Sequence, residues 1–130
     1  MQANAPPTLP KHTSRQIAGA AAEQRALDLL QQQGLKLVTR NWHCKGGELD
    51  LVMRDTNTLV FVEVRSRQRR DYGGAAASVD RHKQQKLVLA ARAFLKVHRQ
   101  YQSLPARFDV VAFNGSEAPQ WLRAAFDSVG

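Results

Sequence analysis

The chain has 130 residues, room for one compact domain and too few for two comfortable ones. Hydrophobic residues make up 43%, enough for a real core, and 19 Lys and Arg stand against 11 Asp and Glu, a net charge of +8. Such an excess attracts polyanions, because neutralised phosphates release their counterions, although many small proteins are basic merely to stay soluble. One cysteine, Cys44, excludes an intrachain disulfide framework and a four-cysteine zinc site, and fits a reducing compartment. No 18 consecutive residues are apolar and no apolar stretch near the N-terminus suits a signal peptide, so the expectation is a soluble, cytoplasmic protein without membrane contact.

Residues 1 to about 13 carry three prolines and little hydrophobicity and read as a disordered tail, with a single domain over 14–130. Thr13 and Ser14 offer caps for a helix running to about Gln33, with Ala20, Leu27 and Leu30 on one face and Gly34 as the stop. Strands are predicted over Leu35–Trp42, Glu48–Met53 and Leu59–Arg65, the first two joined by a turn at Lys45-Gly46-Gly47. Leu59-Val60-Phe61-Val62 is apolar at every position, which suits a central strand buried on both faces. Asp71-Tyr72-Gly73-Gly74-Ala75 suggests a mobile surface loop. A second helix is predicted from Ser78 or Asp80 to about Gln100, with Leu87, Ala90, Ala91, Phe94 and Leu95 as its apolar stripe. Strands over Arg107–Phe113 and Gln120–Phe126 follow. The order α-β-β-β-α-β-β describes an α/β fold with a sheet flanked by helices.

The informative positions are charged residues where the pattern asks for apolar ones. Glu63 interrupts the strand expected to be central, and a buried unpaired carboxylate is costly, so it needs a cation, a donor or a metal. If the connection is centred between Thr56 and Asn57, Asp50 lies across from Glu63 on the same face, Cβ atoms about 4.5–5.5 Å apart. Leu49, Leu51 and Met53 then share the other face with Val60, Val62 and Val64, whereas a one-residue slip would put the two carboxylates on opposite faces. Two like charges so close repel, and a hard cation such as Mg²⁺ between them relieves that. Arg65 projects from the same face as Glu63. Glu23 lies on the stripe with Leu27 and Leu30, and Lys83 on the stripe with Leu87, Ala90 and Phe94. Singly, each has a structural reading: Glu23 and Lys83 as boundary residues, Glu63 as an ion-pair partner of Arg65 or Arg107, Asp50 as a turn-flanking residue. As a set they point to a metal site beside phosphate-binding cations. The run Arg65, Arg67, Arg69, Arg70 suits phosphate contact. Asp109 reads as a structural hydrogen-bonding or ion-pair residue, and the four histidines show no ligand spacing.

Together, Glu23 in a first helix, Gly46-Gly47-Glu48-Leu49-Asp50-Leu51-Val52, Val60-Phe61-Val62-Glu63-Val64-Arg65, Lys83 and Arg107-Phe108-Asp109-Val110-Val111 resemble the YraN family of small bacterial endonuclease-like proteins, over roughly residues 16 to 126. That family is similar to the PD-(D/E)xK nuclease superfamily, and most to archaeal Holliday junction resolvases. The resemblance implies a restriction-endonuclease-like core with a mixed sheet between helices. It implies that Asp50 and Glu63 bind Mg²⁺ or Mn²⁺ with Glu23 completing the acidic set, and that the protein is a homodimer. The superfamily lysine falls at Arg65, which stays protonated and cannot act as a general base.

The expectation is therefore a metal-dependent endonuclease acting on DNA, branched DNA included, in recombination or repair. Its catalytic set is Asp50, Glu63, Arg65, Glu23 and Lys83, and Lys83 is a candidate for the missing amine. Two alternatives stand beside it: a nucleic-acid-binding module without catalysis, and an interaction protein on the same fold.

Overall fold

The computed structural model describes residues 14–67 and 74–127; the predicted N-terminal tail lies outside them. Helix α1 spans Ser14–Gln32, followed by strands β1 (Lys36–Cys44), β2 (Gly47–Asp55) and β3 (Thr58–Arg67). A one-turn helix α2 (Gly74–Ala77), helix α3 (Arg81–Val97) and a 3-10 turn (Arg99–Tyr101) lead to β4 (Ala106–Asn114) and β5 (Gln120–Phe126). The strands form one mixed sheet in the order β1-β2-β3-β4-β5, parallel between β3 and β4 and antiparallel elsewhere. The expected mixed α/β architecture is thus present, with α1 and α3 on opposite faces of the sheet.

Each face has its own core. Ala22, Ala26, Leu27 and Leu30 of α1 pack with Leu51, Met53, Val60, Val62, Val111 and Phe113. Ala20, expected on the buried stripe, is exposed. The segment around it is so rich in alanine that periodicity there does not single out a face. Leu87, Val88, Ala90, Ala91 and Phe94 of α3 pack with Leu49, Val52, Leu59, Phe61, Phe108 and Val110. Strand β3 alternates between the two cores, which is why Leu59-Val60-Phe61-Val62 is apolar throughout.

The ends of the helices follow local chemistry. Gly34, at φ 93°, takes the left-handed conformation that ends α1. The side chain of Asp80 accepts from Lys83 N at 2.9 Å and starts α3. His98 closes α3, its Nδ1 lying 3.0 Å from Phe94 O.

The glycine pair expected in a mobile surface loop is only half described, and the described half is not a surface loop. Gly74 and Ala75 are buried within α2. Gly74 has φ 77°, a Cβ there would meet Asn114 Oδ1 at 2.7 Å, and Ala75 N donates to that same oxygen at 2.6 Å. Glycine here answers a close approach, not mobility.

Asp109 is the second buried carboxylate of the sheet. It is fully buried and accepts from Arg107 Nε at 3.0 Å, Trp121 Nε1 at 2.9 Å and Ala124 N at 3.0 Å. The β4–β5 register shifts between Phe108 and Val110, where Ala124 adopts φ 47°. Asp109 fills that irregularity by bonding the N–H it strands. Arg107 also reaches Asp55 at 3.1 Å, so one guanidinium ties two carboxylates. The structural reading of Asp109 therefore agrees with its surroundings. Replacing Asp109 with Ala would leave Arg107, Trp121 and the bulge N–H without their acceptor. We expect a loss of about 3–5 kcal/mol, read from urea unfolding; a loss below about 1 kcal/mol would contradict this role.

Candidate functional site at the hairpin bend

The β2–β3 ladder has the register expected from a two-residue Thr56-Asn57 connection: Asp55 faces Thr58 and Leu51 faces Val62. Thr56, at φ 56°, supplies the left-handed residue that this turn needs, although its sequence is not one that favours it. Asp50 and Glu63 occupy the next rung. There the main-chain ladder stops, and Asp50 Oδ2 accepts from Val64 N at 2.9 Å.

Past this rung β2 continues with β1 alone, as far as the pair Cys44–Gly47. The end of the hairpin leans on α3, with Gly47 beside Ala90 and Trp42 edge-on to Phe94 at 5.3 Å. Leu49 accordingly joins the α3 core, while Leu51 and Met53 stay in the α1 core. This corrects the expectation that Leu49, Leu51 and Met53 share a face. The alternation of side chains reverses at the rung between the pairs Arg40–Leu51 and Trp42–Leu49. That rung holds Asp50 on β2 and Asn41, at φ 52°, on β1.

The bend gathers the predicted residues. Glu63 is 4% exposed; its Oε2 lies 3.3 Å from Arg65 Nε and 3.6 Å from Lys83 Nζ. Arg65 Nε is buried and not aligned for a hydrogen bond, while its terminal nitrogen donates to Ser78 O at 3.4 Å. Of the two structural partners considered for Glu63, Arg65 is adjacent, and Arg107 is engaged by Asp55 and Asp109 instead.

Glu23 comes to the same bend from α1. It hydrogen-bonds the Asn41 side chain and feels the charge of Asp50. The two helices do not pack on one polar face; Glu23 and Lys83 approach the end of the sheet from opposite sides. Arg67 is exposed at the end of β3, and Arg69 and Arg70 lie outside the described residues. The sequence reading missed Asn41, whose signal was an asparagine within a strand pattern, a residue type that tolerates positive φ.

The model of the uncharacterised protein family UPF0102 matches residues 22–113. The chain belongs to this family. The match covers Glu23, Asn41, Asp50, Glu63, Arg65 and Lys83. A UPF0102 protein of Pseudomonas putida strain W619 is 56% identical over 114 residues, 85% of this chain and 93% of the relative. One of Pseudomonas fluorescens is 53% identical over 119 residues (88% and 97%), and one of Pseudomonas syringae pv. syringae is 52% identical over 122 residues (91% and 99%). Membership of the UPF0102 (YraN) family, read from the motifs, is thereby shown. Among the described residues, no helix is long and apolar enough to cross a membrane.

The electrostatics of the bend are those of crowded carboxylates. Burial first, then the charge of Asp50 and a hydrogen bond with it, push the Glu63 carboxyl up to about 8, against the opposing pull of Lys83 and Arg65. Burial first, then Asp50, also raise Glu23, with Arg40 acting the other way. Among the described residues, no three His, Cys, Asp or Glu side chains are gathered closely enough to hold a metal ion. Glu23 therefore stands apart from the Asp50–Glu63 pair as a third ligand. The pair itself fits a hard divalent cation in kind: two adjacent carboxylates offer the oxygen donors that such an ion prefers, and a bound dication offsets their repulsion. Water, main-chain carbonyls or substrate oxygens would complete the shell.

The raised Glu63 has a consequence for stability. The folded pKa lies above the ordinary 4.5, so the fold favours the protonated acid. Its contribution to stability is fully present below about 4.5, falls as pH rises toward 8, and is lost above that. Metal-free protein should show a falling unfolding midpoint across this window, and Glu63→Gln should flatten the fall. Equal slopes for the two proteins would contradict it. For Asn41, the Gly variant keeps the positive φ and loses only the side-chain bond to Glu23, whereas the Ala variant adds backbone strain. Thermal unfolding should therefore place Ala below Gly by about 1 kcal/mol.

Proposed function

We propose that the protein is a metal-dependent endonuclease acting on DNA, on a restriction-endonuclease-like core of the PD-(D/E)xK kind. The observation that carries the reading is the Asp50–Glu63 pair at the bend, with Arg65 and Lys83 both within 3.6 Å of Glu63 Oε2. Two carboxylates and two cations at one bend suit a phosphodiester, which brings negative charge to a site that must not repel it. The order of strands, with a parallel β3–β4 step after an antiparallel hairpin, is compatible with that core.

Asp50 and Glu63 would hold Mg²⁺ or Mn²⁺, which when bound supplies an activated water and offsets phosphate charge. The protein's own groups then divide the remaining work. Asp50 is fixed by Val64 N, so its second oxygen is presented without a change of rotamer. Arg65, permanently protonated, stabilises charge that develops on the phosphate oxygens. Lys83 supplies the amine that Arg65 does not, from α3 instead of β3, with its Nζ 3.6 Å from Glu63 Oε2. Glu23 stands near Asp50 on the α1 side, its own carboxyl raised by burial and then by the charge of Asp50. Branched DNA, a homodimer and a role in recombination or repair remain part of this reading through the family resemblance.

A second reading is favoured by one residue. Arg65 stands where the superfamily carries lysine, and both cations at Glu63 are already ion-paired with it. That arrangement suits a nucleic-acid-binding module that does not cut.

The test is cleavage of four-way junctions, linear duplex and single strands by purified protein with Mn²⁺ or EDTA. Metal-dependent cutting that Asp50→Ala/Glu63→Ala abolishes supports the enzyme. Lys83→Met should lower its rate by about 10²–10³-fold. Binding without cutting supports the second reading. Cutting undiminished in the double variant would sink the assignment. Independently of activity, Mn²⁺ at pH 8 should raise the unfolding midpoint of the wild type and not that of Asp50→Ala/Glu63→Ala.

A further inference from the structure

A carboxylate cluster that receives a polyanion needs cations on its flanks, and two arginines outside the set read from the sequence stand there. Arg40 on β1 is the cross-strand partner of Leu51, next to Asp50, and donates to Gln24 Oε1 at 3.0 Å. Arg25, the next residue of α1, reaches the other flank, its guanidinium carbon 4.5 Å from the centre of the Phe113 ring. Phe113 is the partner of Ser66, between Arg65 and Arg67 on β3. Arg25 is exposed and Arg40 half-buried. Each is held in place by a contact that leaves donors for a ligand: stacking uses the guanidinium face, and the Gln24 bond uses one N–H of five.

We propose that Arg25 and Arg40 are a pair of phosphate contacts, one on each side of α1, that seat a nucleic-acid backbone across the end of the sheet and over the Asp50–Glu63 pair. This rests on the nucleic-acid reading given above. Strands β1 and β4, against which the two arginines lie, are three inter-strand spacings apart, about 14 Å. That is well beyond the reach of one phosphate, so the two cations meet different phosphates with the scissile one between them. A single small phosphate could not touch both.

The experiment is binding of fluorescein-labelled four-way junction and duplex DNA by anisotropy, in EDTA so that nothing is cut, over a range of salt. The proteins are the wild type, Arg25→Gln, Arg40→Gln, the double variant, and Arg99→Gln as a control. Arg99 is exposed beyond the far end of α3, about 21 Å along that helix from Lys83. Circular dichroism and thermal unfolding confirm that each variant is folded. Each single substitution should reduce the slope of log K against log salt by about 0.9 and the double by about twice that, with Arg99→Gln unchanged. A double variant that matches Arg99→Gln, while the wild type binds, overturns the proposal and leaves the proposed function standing. A wild type that binds no DNA at low salt overturns the nucleic-acid reading itself.

Discussion

The rest of the site depends on the bend in the β1–β2 hairpin. Two cores compete for one ribbon: Leu51 and Met53 belong with α1, while Trp42 and Leu49 belong with α3. Strict alternation cannot satisfy both, so the ribbon reverses its faces at a single rung. Asn41 makes the reversal possible on β1 by entering the left-handed region, where asparagine is tolerated better than most residues. On β2 the reversal breaks the ladder to β3, and Asp50 covers the break by accepting the Val64 N–H. A stranded buried donor costs about 1–3 kcal/mol, so the carboxylate at this position has a structural task of its own.

The same break explains why an acid stands at position 63 at all. Inside an intact ladder, a residue facing the α3 core would be apolar, as Leu59 and Phe61 are. At the end of the ladder it meets Asp50 on one side and the first turn of α3 on the other. Lys83 reaches it because Asp80 starts the helix three residues earlier. Arg65 reaches it because residues two apart on a strand share a face.

Asp109 makes the contrast. Both acids interrupt apolar strands and both are buried. Asp109 accepts from a guanidinium, an indole and a main-chain N–H, so its capacity is spent on holding β5. Glu63 has two cations at ion-pair distance and a neighbouring acid that destabilises its charge. A satisfied carboxylate is a fastener; a crowded one is available to a cation or a proton, and crowding of that kind concentrates where chemistry is done. In a protein with an excess of eight positive charges, Glu23, Asp50 and Glu63 nonetheless come together at one bend of the sheet, with Arg40, Arg65 and Lys83 beside them.

Much of this was legible from residues alone. Periodicity, glycine and asparagine stops and the unbroken apolar run of β3 located every strand and both long helices, because these patterns are local. The hairpin register was legible too, since apolar patterning on adjacent strands admits one alignment and carries Asp50 to Glu63 with it. The resemblance of the motifs sufficed to name the family. Other features belong to tertiary structure. Leu49 changes core because α3 lies where it does, and no pattern within β2 encodes that. Gly74 is buried because Asn114, forty positions away, closes on it. Arg25 and Arg40 look like any exposed basic residues until α1 and the sheet bring them to the flanks of the acids. Local periodicity determined the elements and the pairing of Asp50 with Glu63; the packing of two helices on opposite faces decided the bend, because only there do the demands of two cores meet on one strand.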